Sequence, residues 1–153
     1  MRMFIDLARS RRTSRRFSSV PLSDEEKKLI LEAGGLAPSS RGLKPVRLFP
    51  LDARSSIERL AGCRPTGTAA LETASFAVIV TADSGMSDTW VEDSSIASIM
   101  MQLEAEDLGL GSCWIQVRMR GDGNISAESF VRNAIGIDGD LSVLCILAFG
   151  RKP

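Results

Sequence analysis

The chain contains no histidine and no tyrosine. A Ser-His-Asp triad, a Cys-His dyad and a histidine zinc site are therefore all excluded. Any catalysis must come from a carried cofactor or from Lys, Asp, Glu or Cys. Aromatic residues make up only 5% of the sequence, as six Phe and two Trp, which leaves no stacking platform of the kind single-strand nucleic-acid binders use. The cysteines are few and odd in number, Cys63, Cys113 and Cys145, and no C-x-x-C pair occurs. That usage excludes a disulfide framework and a dithiol redox motif, and it points to a reducing, cytoplasmic setting. No run approaches the roughly 20 apolar residues of a membrane span. Met1–Arg9 holds an acidic residue at Asp6 and does not read as a secretory signal. Nor is there an excess of one charge: 19 Lys and Arg balance 19 Asp and Glu, against bulk affinity for nucleic acid or a membrane surface.

Familiar ligand motifs are missing as well. Gly109-Leu110-Gly111 has Trp114 where a dinucleotide fingerprint needs its third glycine, and it closes a helix instead of opening one. There is no Walker A pattern, and Asp83–Asp88 lacks the acidic spacing of a calcium loop. No metal site is expected.

What is present fits one domain over residues 1–153, with 44% hydrophobic and 25% charged residues. Phe4, Leu7 and Ala8 predict a helix over about 2–9. Ser23-Asp24-Glu25-Glu26 is a capping box for a helix through Leu29, Ile30, Ala33 and Leu36. Val46–Leu51 reads as a strand, and Asp52 as the cap of a helix through Ile57 and Leu60. Phe76–Thr81 is apolar without alternation, as in a strand buried on both faces. The longest helix is expected over about 89–108, with Ile96, Ile99, Met100, Leu103 and Leu108 on one face, Ala97 and Ala105 as small contacts, and Gly109 as its stop. Ser112–Val117 predicts a strand, Ser126 caps a helix ending at Gly136, and Leu141–Phe149 is the last strand. This order predicts an α+β fold: a central mixed sheet with helices on both faces. Cys113 and Cys145 fall in apolar strands and read as packing residues, not nucleophiles.

The densest chemistry lies at Arg11-Arg12-Thr13-Ser14-Arg15-Arg16-Phe17, four arginines in six positions. Guanidinium groups beside a hydroxyl suit an oxyanion such as phosphate, through charge-assisted and often bidentate hydrogen bonds. Charge alone also fits a solvated basic loop.

Three segments taken together resemble the nitroreductase family of flavoproteins. The arginine segment is similar to that family's R-R-S-x-R-x-F opening. Ala37-Pro38-Ser39-Ser40-Arg41-Gly42-Leu43-Lys44-Pro45 resembles its A-P-S-x-x-N-x-Q-P-W loop, and Leu108-Gly109-Leu110-Gly111-Ser112-Cys113-Trp114-Ile115 resembles its L-G-L-G-x-x-W-I segment. Ala134-Ile135-Gly136-Ile137 and Leu147-Ala148-Phe149-Gly150 resemble its close.

The resemblance implies a homodimer with FMN at the subunit interface. It places Arg11, Arg12 and Thr13 on the FMN phosphate and Arg15 at the pyrimidine edge of the flavin. There a cation would stabilise the anionic reduced ring. It assigns the loop of Pro38, Ser39, Ser40, Arg41, Gly42 and Lys44 to the isoalloxazine and ribityl region, and backbone N–H groups of Ile115, Gln116 and Val117 to flavin N5. Arg151 and Lys152 are further candidates for the phosphate. No side chain is expected to be catalytic, because the flavin carries the chemistry.

The implied activity passes electrons from NADH or NADPH through FMN to a small-molecule acceptor, a nitroaromatic, quinone or similar compound, in a ping-pong cycle. Gly42, Lys44 and Val46 replace the family's usual Asn, Gln and Trp. The sequence runs only briefly past Gly150, which implies a shortened C-terminal arm. These departures define an alternative: a degenerate member that binds FMN or another flat ligand without efficient turnover. A basic-arm nucleic-acid module is a third reading, disfavoured by the missing aromatic platform.

Overall fold

The computed structural model of the chain describes residues 1–153. Four strands, β1 (Val46–Leu51), β2 (Phe76–Asp83), β3 (Leu110–Gln116) and β4 (Leu141–Arg151), form one sheet in the order β1-β2-β4-β3. Five α-helices accompany it: α1 (Phe4–Ser10), α2 (Asp24–Gly35), α3 (Arg54–Leu60), α4 (Trp90–Asp107) and α5 (Ala127–Ile135). All four strands pair antiparallel. The parallel component of the expected mixed sheet is confined to an isolated bridge between Thr13 and Ser112 on the free edge of β3. No helix is long and apolar enough to cross a membrane.

Alternation along the central strands divides the core. Ala77, Ile79, Ile146 and Ala148 face the layer of α3 and α5, against Ile57, Leu60 and Val131. Phe76, Val78, Val80, Leu147 and Phe149 face the layer of α2 and α4, against Ile30, Met101 and Ala105. Helices thus cover both faces, as the sequence predicts.

The capping box forms: Ser23 Oγ accepts from Glu26 N at 3.2 Å, and Glu26 Oε2 accepts from Ser23 N at 2.7 Å. Ser126 Oγ likewise accepts from Ser129 N, and Gly136 ends α5 in the left-handed region at φ 76°. The expected Asp52 cap is absent. α3 starts after Ala53 without a side-chain cap, and Asp52 instead accepts from Lys27 Nζ at 3.3 Å.

Two features of packing position the site. The pairs Val80–Cys145 and Thr81–Val143 leave Leu144 as an extra residue in β4. Its carbonyl accepts from both Val117 N (3.2 Å) and Arg118 N (3.0 Å), which ends β3 at a fixed point. Secondly, the arginine segment docks on the sheet through Phe17, which is buried against Gly150. A Cβ at Gly150 would lie 2.5 Å from Phe17 Cβ and Cγ. A Cβ at Gly111 would lie 2.6 Å from Ser14 Oγ. The glycines of two matched segments are therefore seats for a third.

Gly150→Ala is expected to overpack this seat and lower stability by about 1–3 kcal/mol. Gly35→Ala, at a helical position with open space around it, should be neutral or stabilise by up to about 1 kcal/mol. Urea unfolding of the two variants checks the contrast.

Candidate functional site

α4 sets the frame. Its expected apolar face is real but points outward, with Ile96 and Ile99 each 39% exposed. Apart from Met101, the face on the sheet is small or polar: Asp93, Ser94, Ala97, Ser98, Gln102, Ala105 and Glu106 are all buried with it. Small side chains let the helix approach the strands closely, and the polar ones find partners there. Ser98 Oγ donates to Ser94 O at 2.8 Å, and Gln102 Nε2 donates to Ser112 Oγ at 3.1 Å.

At the N-terminal end of α4, Asp93 holds the loop matched in sequence. Its Oδ1 accepts from Ser40 N at 3.0 Å, and its Oδ2 accepts from Ser87 Oγ at 2.8 Å. The loop turns through left-handed backbone at Arg41 (φ 53°), Gly42 (φ 66°) and Lys44 (φ 54°). Glycine fits such a conformation without strain, and asparagine tolerates it better than most residues do. The Gly42 replacement therefore keeps the path of the backbone while losing the side-chain amide. Lys44 N donates to Ser39 Oγ, and Lys44 Nζ folds back onto Ala37 O, both at 2.8 Å. Pro38, Ser39, Lys44 and Asp93 line a small cavity of about 160 Å³ with Arg47. Val46 is half-buried against the α2–α4 layer.

At the C-terminal end, Glu106 is only 5% exposed and ties three segments. It accepts from Ser10 Oγ at 3.0 Å and from Lys152 Nζ at 2.9 Å, and it lies 3.5 Å from Arg2. Ser10 immediately precedes Arg11, Arg12 and Thr13, so Glu106 fixes the start of the arginine segment. Arg11 is half-buried, whereas Arg12, Thr13 and Arg15 are exposed. Arg12 Nη1 donates to the carbonyls of Arg9 and Arg11, and Ser14 N donates to Ser112 O at 2.9 Å. Arg15 lies close enough to Cys113 to act on its charge. Burial nonetheless dominates and raises the Cys113 thiol pKa, and Cys145, fully buried, is pushed up to about 12. Neither thiol is a nucleophile at neutral pH.

The remaining predicted residues divide. Ile115 and Gln116 follow Ser112 along β3, with Val117 just past its end, so the structure brings them into line with the arginine segment. Trp114 Nε1 donates to Gln116 Oε1 at 2.9 Å, and Arg64 Nη1 donates to Gln116 O at 3.2 Å. The Val117 N–H is already donated to Leu144 O. Arg151 and Lys152 are both engaged within the chain: Arg151 forms a two-pronged pair with Glu26 at 3.0 and 2.8 Å, and Lys152 is held by Glu106. Sequence reading missed Asp93 and Glu106, because the segments they hold, at Ser40 and Ser10, lie 53 and 96 residues away.

The loop of residues 38–44 and the arginine segment do not meet in one copy. Asp93 and Glu106, which anchor them, are separated by roughly 20 Å along α4 at 1.5 Å per residue. The loop leads into β1 and the arginine segment lies on β3, at opposite edges of the sheet, roughly 14 Å apart.

The carboxyls of Glu26 and Glu106 both sit below their ordinary value of 4.5. Burial raises each, but the Ser23 backbone N–H and Arg151 at Glu26, and Lys152 and Ser10 at Glu106, more than offset it. A folded pKa below the unfolded one gives stability that is full above the unfolded value and is lost as pH falls through the folded one. Urea midpoints are therefore expected to hold near neutrality and drop below about pH 4.5. Glu106→Gln should cost about 1–3 kcal/mol at pH 7 and show a shallower acid loss.

Comparison with known proteins agrees with this arrangement. The profile of the Nitroreductase family matches residues 8–63 and 64–151. A curated protein of Archaeoglobus fulgidus, provisionally named NADH dehydrogenase/NAD(P)H nitroreductase, is 31% identical over 145 residues, covering 92% of this chain and 80% of its own length. The structure of an FMN-dependent nitroreductase from Clostridium difficile R20291 superposes with a TM-score of 0.94 at 39% identity, over 97% of this chain and 87% of that one. A structure from Bacteroides thetaiotaomicron, again provisionally named NADH dehydrogenase/NAD(P)H nitroreductase, superposes at 0.89 with 27% identity, over 97% and 85%. With residues 8–63 and 64–151 matched in order, and the arginine segment packed on the glycines of two other matched segments, this chain belongs to the Nitroreductase family.

Proposed function

We propose that this protein is an FMN-dependent oxidoreductase that works as a homodimer, with each flavin held between two copies. The observation that carries the reading is the docking of Thr13–Phe17 on Gly111, Ser112 and Gly150, which leaves Arg11, Arg12 and Thr13 together at the open edge of β3. Two guanidinium groups and a hydroxyl at a surface edge suit a phosphate monoester. Ile115 and Gln116 continue along that edge, where they would face the ring, and Arg15, near Cys113, would stand beside it. When bound, FMN supplies two-electron exchange, taking electrons from NADH or NADPH and passing them to a nitroaromatic, quinone or similar acceptor in a ping-pong cycle.

The protein's own part is to bind, orient and shield. Arg15 provides positive charge for a reduced ring. The loop from Pro38 to Lys44, pinned by Asp93, would cover a ring held by the second copy. The separation of loop and arginine segment within one copy supports this sharing. So does the surface left uncovered by α1 and α4: Phe4 is 68% exposed, and Met3, Phe4, Leu7, Met100 and Leu103 line an apolar groove of about 370 Å³. An exposed apolar groove rimmed by Arg2, Glu104 and Asp107 suits a partner, and a second copy covers it symmetrically. The alternative of a binder without turnover rests on Gly42 and Lys44. Gly42 preserves the loop's left-handed path, and Lys44 keeps two ammonium protons beyond its bond to Ala37, so turnover is the reading favoured.

The purified protein is expected to be yellow, or to become so on addition of FMN. Arg11→Ala should weaken FMN by roughly 10- to 150-fold, the worth of one hydrogen bond to a charged group, and riboflavin much less. Arg16→Ala should change FMN affinity by less than about threefold. Equal losses of FMN and riboflavin in Arg11→Ala would contradict the phosphate assignment, as would a protein that takes up no flavin.

A further inference from the structure

The charge of this neutral chain is segregated. Residues 7–23, 33–51 and 108–121 hold ten of the nineteen Lys and Arg side chains and none of the nineteen carboxylates. These stretches contain the arginine segment, the left-handed loop and the end of β3. Elsewhere cations are mostly neutralised: six of the other nine have a carboxylate within 4.0 Å. Of the ten, only Arg9 and Arg41 do, and the Arg41–Asp88 pair is at the 4.0 Å limit between two side chains that are each at least 75% exposed. Such a pair is worth little. A phosphate monoester brings about two negative charges, which leaves most of this field unanswered.

Five of the ten lie in residues 7–23, and three lie on or just past the loop that the proposed function assigns to the ring. Arg41, Lys44 and Arg47 lie on the loop and the start of β1. Arg47 Nη1 donates to Lys44 O at 2.8 Å, and the Lys44 and Arg47 side chains line one cavity beside Ser39. Arg41 and Lys44 keep left-handed backbone although neither is glycine, an unfavourable state that the Asp93 anchor sustains. At the same end of α4, Arg118 lies 6.0 Å over the Trp90 ring. Asp93, the buried carboxylate nearby, is engaged by Ser40, Ser87 and Thr89.

We infer that the electron acceptor is a flat organic anion, an aromatic carboxylate or sulfonate, drawn to the flavin by Arg41, Lys44 and Arg47. The inference rests on the FMN reading above and adds the charge of the acceptor. A surface of one sign raises the encounter rate of an oppositely charged ligand by roughly 10- to 1,000-fold at low salt, and screening removes the gain. The reductant is also an anion, so the test varies only the acceptor.

The FMN-loaded protein is to be compared with 4-nitrobenzoate and 4-nitrobenzamide, which share ring and nitro group and differ by one charge. Two readouts apply: the dissociation constant with oxidised protein and no reductant, followed by the flavin absorption, and kcat/KM with reductant present. Nitrobenzoate should be favoured by about 10-fold near 0.01 M ionic strength and by less than about twofold near 1 M, in both readouts. Arg41→Gln and Arg47→Gln should each move the ratio toward one, while Lys28→Gln, an exposed cation on α2, should keep it. A ratio near one at low salt, or a ratio kept in both loop variants, would overturn the inference. A protein that binds flavin and treats both probes alike refutes the acceptor's charge alone; one that takes up no FMN refutes the oxidoreductase reading as well.

Discussion

α4 lies on the sheet through Ala97, Met101 and Ala105, and this close approach carries two carboxylates into the interior at its ends. Asp93 holds the loop of residues 39–44 and Glu106 holds the start of the arginine segment. The same orientation sends Ile96, Ile99, Met100 and Leu103 outward. A helix turned the other way would bury the large side chains and release both anchors. Its inward polar face therefore fixes where the loop and the arginine segment stand, and its large apolar side chains are left on the outward face.

The ion pairs divide the cations by role. Arg151 and Lys152 close the end of β4 onto Glu26 and Glu106, and so brace α2 and α4 against the chain's last strand. Cations in residues 7–23, 33–51 and 108–121 have almost no carboxylate partners. Buried pairs in this fold serve to position segments, since desolvation offsets much of their direct attraction.

Local signals in the sequence were sufficient for most elements. The Ser23–Glu26 box, the Ser126 cap, the apolar run of β2 and the left-handed glycines at Gly109 and Gly136 are each set by residues a few positions apart. The Asp52 cap failed because a nearer tertiary partner, Lys27, takes the carboxylate. Contacts across long stretches of chain were not legible. Nothing in the periodicity of α4 tells which face meets the sheet, because its small and polar residues repeat as regularly as its large apolar ones. Arg151 and Lys152 looked free for a phosphate, since Glu26 and Glu106 stand 125 and 46 residues away. The motif resemblance marks the candidate site segments, and the packing of the chain keeps two of them apart.

That separation makes sharing between copies the central claim, and subunit mixing tests it most directly. Two variants would be prepared, Arg11→Ala/Arg12→Ala in the arginine segment and Ser40→Trp in the loop, each poor at holding FMN alone. Unfolded together and refolded as a mixture, they assort so that half of the dimers are mixed, and each mixed dimer has one intact site, about a quarter of all sites. The account predicts recovery of FMN binding to about that level, absent when either variant is refolded alone. No recovery in a mixture shown to contain mixed dimers would contradict it, because the site would then lie within a single copy.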